Sequence, residues 1–115
     1  MAIAGIYNFT LDQGSTWTLQ IIYNDPSGTP INLTNYTAEM QIRRKFDSDT
    51  PVLTLSTSNG GITITGATGT LDLIATDEQA DIEPGFYVYD LELSTGGVRT
   101  RLIQGQVTVS GEVTR

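Results

Sequence analysis

Among its 115 residues the sequence has no cysteine and no histidine, and only six basic side chains. Each shortage excludes chemistry. Without cysteine there is no disulfide framework and no thiolate to hold a metal or attack a substrate. Without histidine, Ser-His-Asp and Cys-His machinery, His-ligated zinc and an imidazole proton shuttle are all ruled out. Carboxylates, hydroxyls and one lysine, Lys45, are what remains for enzyme work.

Basic residues are also too few and too scattered for nucleic acid. Thirteen acidic side chains bring the formal charge to −7, whereas phosphate backbones are held by clustered Lys and Arg. The longest basic run, Arg43-Arg44-Lys45, reads as the solvated end of a strand. No stretch approaches the roughly 20 apolar residues of a membrane-spanning helix. The segment from Met1 to Ile6 lacks the basic start and long apolar run of a secretory signal, so synthesis in the cytosol is expected. Sequons at Asn8, Asn32 and Asn35 would matter only in a eukaryotic secreted protein.

What is present favours pleated sheet. Threonine, isoleucine, valine and tyrosine suit a half-buried pleated surface. Tyr7, Phe9 and Leu11 alternate with polar neighbours, as do Trp17, Leu19, Ile21 and Tyr23, and then Tyr36, Ala38, Met40 and Ile42. Shorter runs follow at 52–55, 62–64 and 71–73, and a long one begins at Phe86. Turn signals separate them at intervals of about 8–15 residues, the spacing of a sandwich or barrel. They include Asp25-Pro26-Ser27-Gly28, Asn59-Gly60-Gly61, Gly66-Ala67-Thr68-Gly69 and Ser94-Thr95-Gly96-Gly97. The expected fold is an all-β, immunoglobulin-like antiparallel sandwich of about 7–8 strands. It forms a single domain over 1–115, with a candidate N-terminal arm at 1–5.

Three structural assignments accompany that fold. Residues 76–83 carry a capping threonine, a Gln three positions on and acids in the first turn, which predicts a short helical turn stopped by Pro84-Gly85. At the following corner Tyr87 is the candidate for a tyrosine whose hydroxyl bonds back to the chain, with Tyr89 second. In the last strand the apolar positions change phase between Leu102 and Val107, so one extra residue is required, and Gly105 is the expected bulge. Trp17 is in phase with Leu19 and Ile21 and is read as a core residue.

No catalytic residue, cofactor or metal ligand is assigned. Asp77, Glu78, Asp81 and Glu83, and the pair Asp47 and Asp49, lack the spacing of a calcium loop. Acids decorating a helix start explain the first group. Asp90 and Glu92 should face water opposite Arg99 and Arg101 across the last hairpin, in ion pairs of well under about 1 kcal/mol. Candidate partner contacts are Ile3, Ile6, Arg43, Arg44, Arg99 and Arg101, from the apolar tail and the basic positions. A carbohydrate-binding module would need an exposed aromatic platform, but Tyr23, Tyr36 and Tyr89 alternate inward.

Longer strings carry a resemblance. Tyr7-Asn8-Phe9-Thr10-Leu11-Asp12-Gln13-Gly14 with Trp17, and Asp25 through Gly28-Thr29-Pro30-Ile31-Asn32-Leu33-Thr34-Asn35-Tyr36 to Arg43, are the first two. Glu83-Pro84-Gly85-Phe86-Tyr87-Val88-Tyr89-Asp90-Leu91-Glu92 and the closing Glu112-Val113-Thr114-Arg115 complete them. Together they resemble the immunoglobulin-like N-terminal module of the phage baseplate upper protein family. The resemblance implies a non-enzymatic virion structural protein of a tailed phage, assembled in the bacterial host cytoplasm. It implies partners among other virion proteins and copies of itself, at the tail, baseplate or fibre attachment. A capsid decoration or cement subunit is the alternative within that class.

Overall fold

A computed structural model describes residues 5–113. Nine strands are assigned in it: β1 (Gly5–Ile6), β2 (Phe9–Asp12), β3 (Trp17–Ile22), β4 (Thr37–Arg43), β5 (Leu53–Ser56), β6 (Ile62–Thr65), β7 (Thr70–Ala75), β8 (Gly85–Thr95) and β9 (Val98–Ser110). They form a six-stranded sheet in the order β1-β9-β8-β4-β5, with β2 also on β9, and a three-stranded sheet in the order β3-β7-β6. β1 and β2 follow one another along the same side of β9, both parallel to it. They are two pieces of one edge strand, which brings the count to eight, within the expected range of about 7–8. The fold is an immunoglobulin-like β-sandwich.

The alternation in the sequence becomes the core. Ala38, Met40 and Ile42 of β4, Tyr87, Tyr89, Leu91 and Leu93 of β8, and Leu71, Leu73 and Ala75 of β7 all turn inward and are buried in one cluster. Two-residue periodicity places every second side chain on that inner face, so the polar residues between them must line the outer faces.

Local chemistry at the turns explains the reversals. Thr95 pairs with Val98, and the intervening Gly96 and Gly97 have φ of 55° and 82°. A two-residue hairpin of that kind needs positive φ at both positions, which glycine adopts without steric cost. At the first reversal Asp25 Oδ1 accepts hydrogen bonds from the Ser27 and Thr29 amides and from the Ser27 hydroxyl.

Residues 76–83 form one turn rather than a helix. The Thr76 hydroxyl accepts from the Gln79 amide and the Gln79 side chain accepts from the Thr76 amide, which is the capping box expected there. The Ala80 amide bonds the Thr76 carbonyl, and the chain then leaves for Pro84. The only assigned helix among the described residues is the short 3-10 turn Gly66–Thr68, where the sequence suggested a plain reversal.

The corner tyrosine is Tyr87, as expected. It is buried and its hydroxyl donates to the Glu83 carbonyl. Arg44 lies over its ring, 5.2 Å from guanidinium carbon to centroid, and also reaches Glu83 at 2.7 Å.

Gly105 is a correction. The register of β8 against β9 shifts between Leu91, which faces Ile103, and Glu92, which faces Arg101, so the extra residue is Leu102. Gly105 pairs regularly with Tyr89. Its role is room: a Cβ there would sit 2.3 Å from the Tyr7 carbonyl oxygen, where the chain crosses from β1 to β2. Phase alone locates a bulge only to the interval between the two apolar sets, and glycine drew the assignment to the wrong end of it.

Candidate functional site

The outer face of the six-stranded sheet interleaves three of the chain's six basic side chains, Arg43, Arg99 and Arg101, with the acids Glu39, Asp90 and Glu92. On β4, Glu39, Gln41 and Arg43 alternate with the buried Ala38, Met40 and Ile42. On β8, Val88, Asp90 and Glu92 alternate with Tyr89, Leu91 and Leu93. Register then sets the rows. Arg101, Glu92 and Glu39 lie side by side across β9, β8 and β4; Gln104, Asp90 and Gln41 form the next row, and Gln106, Val88 and Arg43 the one after.

These rows, together with Ile6 and Phe46, line an open trough of about 880 Å³. Two carboxylates, Glu39 and Glu92, meet directly across β4 and β8, an arrangement that disfavours the bare sheet. Neighbours compensate. Gln41 Nε2 donates to Glu39 at 2.7 Å, Arg99 stands 3.7 Å from Glu92, and Arg101 stands 3.3 Å from Asp90. The Arg99 and Arg101 side chains remain 72% and 51% exposed, so each pair contributes only about 0.2–1 kcal/mol. Arg101 also donates to Gln104 Oε1 at 3.0 Å, and the exposed remainder of both guanidinium groups is open to an incoming surface.

The sequence-derived contact residues separate into three groups. Arg43, Arg99, Arg101 and Ile6 come together around the trough, with Ile6 76% exposed on β1. Arg44 is turned away into the Tyr87 corner, where it bonds Glu83 and serves the fold. Ile3 lies outside the described residues. Arg43 is partly occupied, donating to the Ser48 carbonyl and to Gln41 Oε1 and so bracing the β4–β5 loop.

Glu39, Gln41, Gln104, Gln106 and Phe46 were not singled out in the sequence. Glu39 and Gln41 could have been found by extending the alternation, because they share parity with Arg43 on β4, whereas Gln104 and Gln106 have the opposite parity to Arg99 and Arg101 and reach the same face only through the bulge at Leu102. Phe46, 89% exposed in the β4–β5 loop, follows no period.

The tyrosines expected to turn inward do so. Tyr89 is buried, and Tyr23 and Tyr36 pack partly buried against the core. Burial and, less strongly, the neighbouring Tyr7 push the Tyr89 hydroxyl up to about 12; that hydroxyl donates to the Tyr7 carbonyl. Trp17 is only partly buried, stacked on Phe9 at 4.6 Å between centroids, with Tyr7 continuing the ladder on the far side of Phe9. These rings stack on one another rather than forming a flat exposed platform. Among the described residues, no three Asp or Glu side chains converge as a metal would require.

No family model and no curated protein matches the sequence. Among solved structures the chain is similar to a marsupial T cell receptor, with a TM-score of 0.51 and 15% sequence identity. The match covers 94% of this chain and 51% of that one, so the chain spans about half the length of the receptor chain it matches. At that identity the likeness concerns the fold.

Proposed function

We propose that this protein is a non-enzymatic structural subunit of a tailed-phage particle, acting at the tail, baseplate or fibre attachment through protein-protein contacts. The observation that carries the reading is the trough on the six-stranded sheet. Arg99, Arg101, Arg43, Glu39, Asp90 and Glu92 are displayed on rigid strands in a net-neutral mosaic, within a chain of formal charge −7. A balanced charged surface carrying exposed Ile6 and Phe46 suits another protein better than a small polar ligand or a polyanion. The family resemblance of the strings around Tyr7–Trp17, Asp25–Arg43 and Glu83–Glu92 supplies the particle.

Tracing the chain in density of the intact virion tests this. The expected result is a subunit in the tail with the Arg99 and Arg101 face buried against a different protein. A position on the shell identifies the cement alternative, and absence from the purified particle overturns the proposal.

A further inference from the structure

The three-stranded sheet has an unprotected edge at β3. In it Trp17, Leu19 and Ile21 pair with Ala75, Leu73 and Leu71 of β7. The β7 residues are 0–2% exposed, yet their β3 partners remain only partly buried. The difference arises because, among the described residues, β3 has a neighbour on one side alone; β1 and β2 pair with β9 instead.

The free backbone groups of this edge can be identified. The Tyr23 amide donates to the Gly69 carbonyl, and antiparallel pairs alternate between bonded and non-bonded rows. Odd residues of β3 therefore bond β7, while Thr18, Gln20 and Ile22 turn their N–H and C=O groups to the open side. Natural edges are usually blunted by charge, proline or shortness. β3 is six residues long, against four for β5, β6 and β2 and two for β1 at the other edges, and Trp-Thr-Leu-Gln-Ile-Ile contains no charge and no proline.

We infer that β3 is a strand-addition site whose occupant is β3 of a second copy, related by a two-fold axis through Gln20. This deepens the assembly reading above by naming one partner. Charge permits this occupant although each chain carries a formal −7, because the strand is neutral and Asp72 beside it is bound by Gln20 Nε2 at 2.9 Å; the strand's own symmetry about Gln20 selects it. Pattern selects the register. With the axis at Gln20, Thr18 pairs with Ile22 of the partner copy and every outward-bonding residue of the strand is used. Leu19 then faces Ile21 on the inner side of both copies, so the partly exposed apolar stripes cover each other. The product is one continuous sheet in the order β6-β7-β3-β3-β7-β6, leaving the charged trough on the opposite sheet free.

Sedimentation equilibrium of the full chain, together with cross-linking of single-cysteine variants, tests this. The expected result is a reversible dimer that Gln20→Lys weakens at least about tenfold, because like charges would face each other at the axis. A lysine there can still pair with Asp72, so the monomer should fold. Since the chain has no cysteine of its own, mild oxidation of Gln20→Cys should give a disulfide-linked dimer, while Thr108→Cys on the outer face of the other sheet should not. A protein that stays monomeric to about 1 mM overturns the inference, as does a dimer indifferent to Gln20→Lys or cross-linked through Thr108→Cys. The dimer forms or fails to form in dilute buffer whatever particle the chain belongs to, so the two proposals can fail separately.

Discussion

Replacing Gly105 with alanine decides why a glycine stands in the middle of the longest strand. Gly105 is not among the positive-φ glycines, so its backbone imposes no special conformation. If it were a filler position, alanine would stabilise the protein by about 0.4–1 kcal/mol by restricting the unfolded chain. The structure gives the opposite sign. The new Cβ would lie 2.3 Å from the Tyr7 carbonyl oxygen, 2.7 Å from Asn8 Oδ1 and 2.9 Å from the Tyr7 carbonyl carbon. Two of these atoms are backbone and cannot rotate away. Relief requires the segment around Tyr7 and Asn8 to lift from β9, stretching the bonds from the Tyr7 amide to the Gln104 carbonyl and from the Gln106 amide to Asn8 Oδ1. Two hydrogen bonds at about 0.5–1.5 kcal/mol each, or an overpacking penalty of about 1–3 kcal/mol, give the same scale. The net expectation is destabilisation by about 1–3 kcal/mol. Urea unfolding followed by Trp17 fluorescence measures it, since Trp17 is the only tryptophan and stacks on Phe9 of β2. With a slope of about 1–3 kcal/mol per molar urea, the midpoint should fall by roughly 1 M with little change in slope. A midpoint that is unmoved or raised refutes the close-approach account.

Tyr87→Phe keeps the ring beneath Arg44 but removes the bond to the Glu83 carbonyl, and should cost about 1–2 kcal/mol in the same titration; an unchanged midpoint would show that the corner bond does not matter. The Tyr89 hydroxyl, raised from about 10 to about 12 chiefly by burial, favours folding while it stays protonated. Its contribution is complete below pH 10 and is lost as pH climbs through 12, so alkaline unfolding curves of Tyr89→Phe should fall less steeply over that interval than those of the parent. Asp25 behaves in the reverse sense: bonds from the Ser27 hydroxyl first, then the Thr29 amide, hold its carboxyl below the ordinary carboxylate range. Protection of the Ser27 and Thr29 amides in hydrogen exchange should persist above the usual aspartate range and weaken as acid titrates the group. Asp25→Ala should remove the protection at all pH values, and pH-independent protection in the parent would contradict the turn geometry.

Legibility in the sequence tracks how local the physics is. The Gly96-Gly97 hairpin, the Thr76/Gln79 capping box and the Tyr87 corner were all readable, because each involves residues within a few positions of one another. The inward parity of β4, β7 and β8 was readable for a related reason: an extended chain alternates its side chains whatever it pairs with. Trp17 was read correctly in phase but not in depth. It shares the inner side with Leu19 and Ile21, yet its burial depends on whether a strand lies beyond β3, and none of the described residues supplies one.

The candidate site was half legible. Arg99 and Arg101 were placed opposite Asp90 and Glu92 by hairpin geometry alone, and they pair, Arg99 with Glu92 and Arg101 with Asp90. That Glu39, Gln41 and Arg43 continue the same surface depends on β4 lying beside β8, a pairing across about 50 residues of chain that no local pattern encodes. Arg44 shows the converse. Beside Arg43 in sequence, it is drawn into the Tyr87 corner by Glu83, whose position only the folded chain fixes.

By itself, then, the chain of side chains determined which segments extend, where they reverse and which face of each is apolar, because steric preference and two-residue alternation act over a few bonds. Tertiary structure alone decided that β1 and β2 run along β9 and leave β3 open, that the extra residue is Leu102, and that Gly105 yields space to Tyr7. Those outcomes are choices among competing partners of similar local quality, and they are settled by which combination buries the most apolar surface while keeping the buried backbone groups bonded.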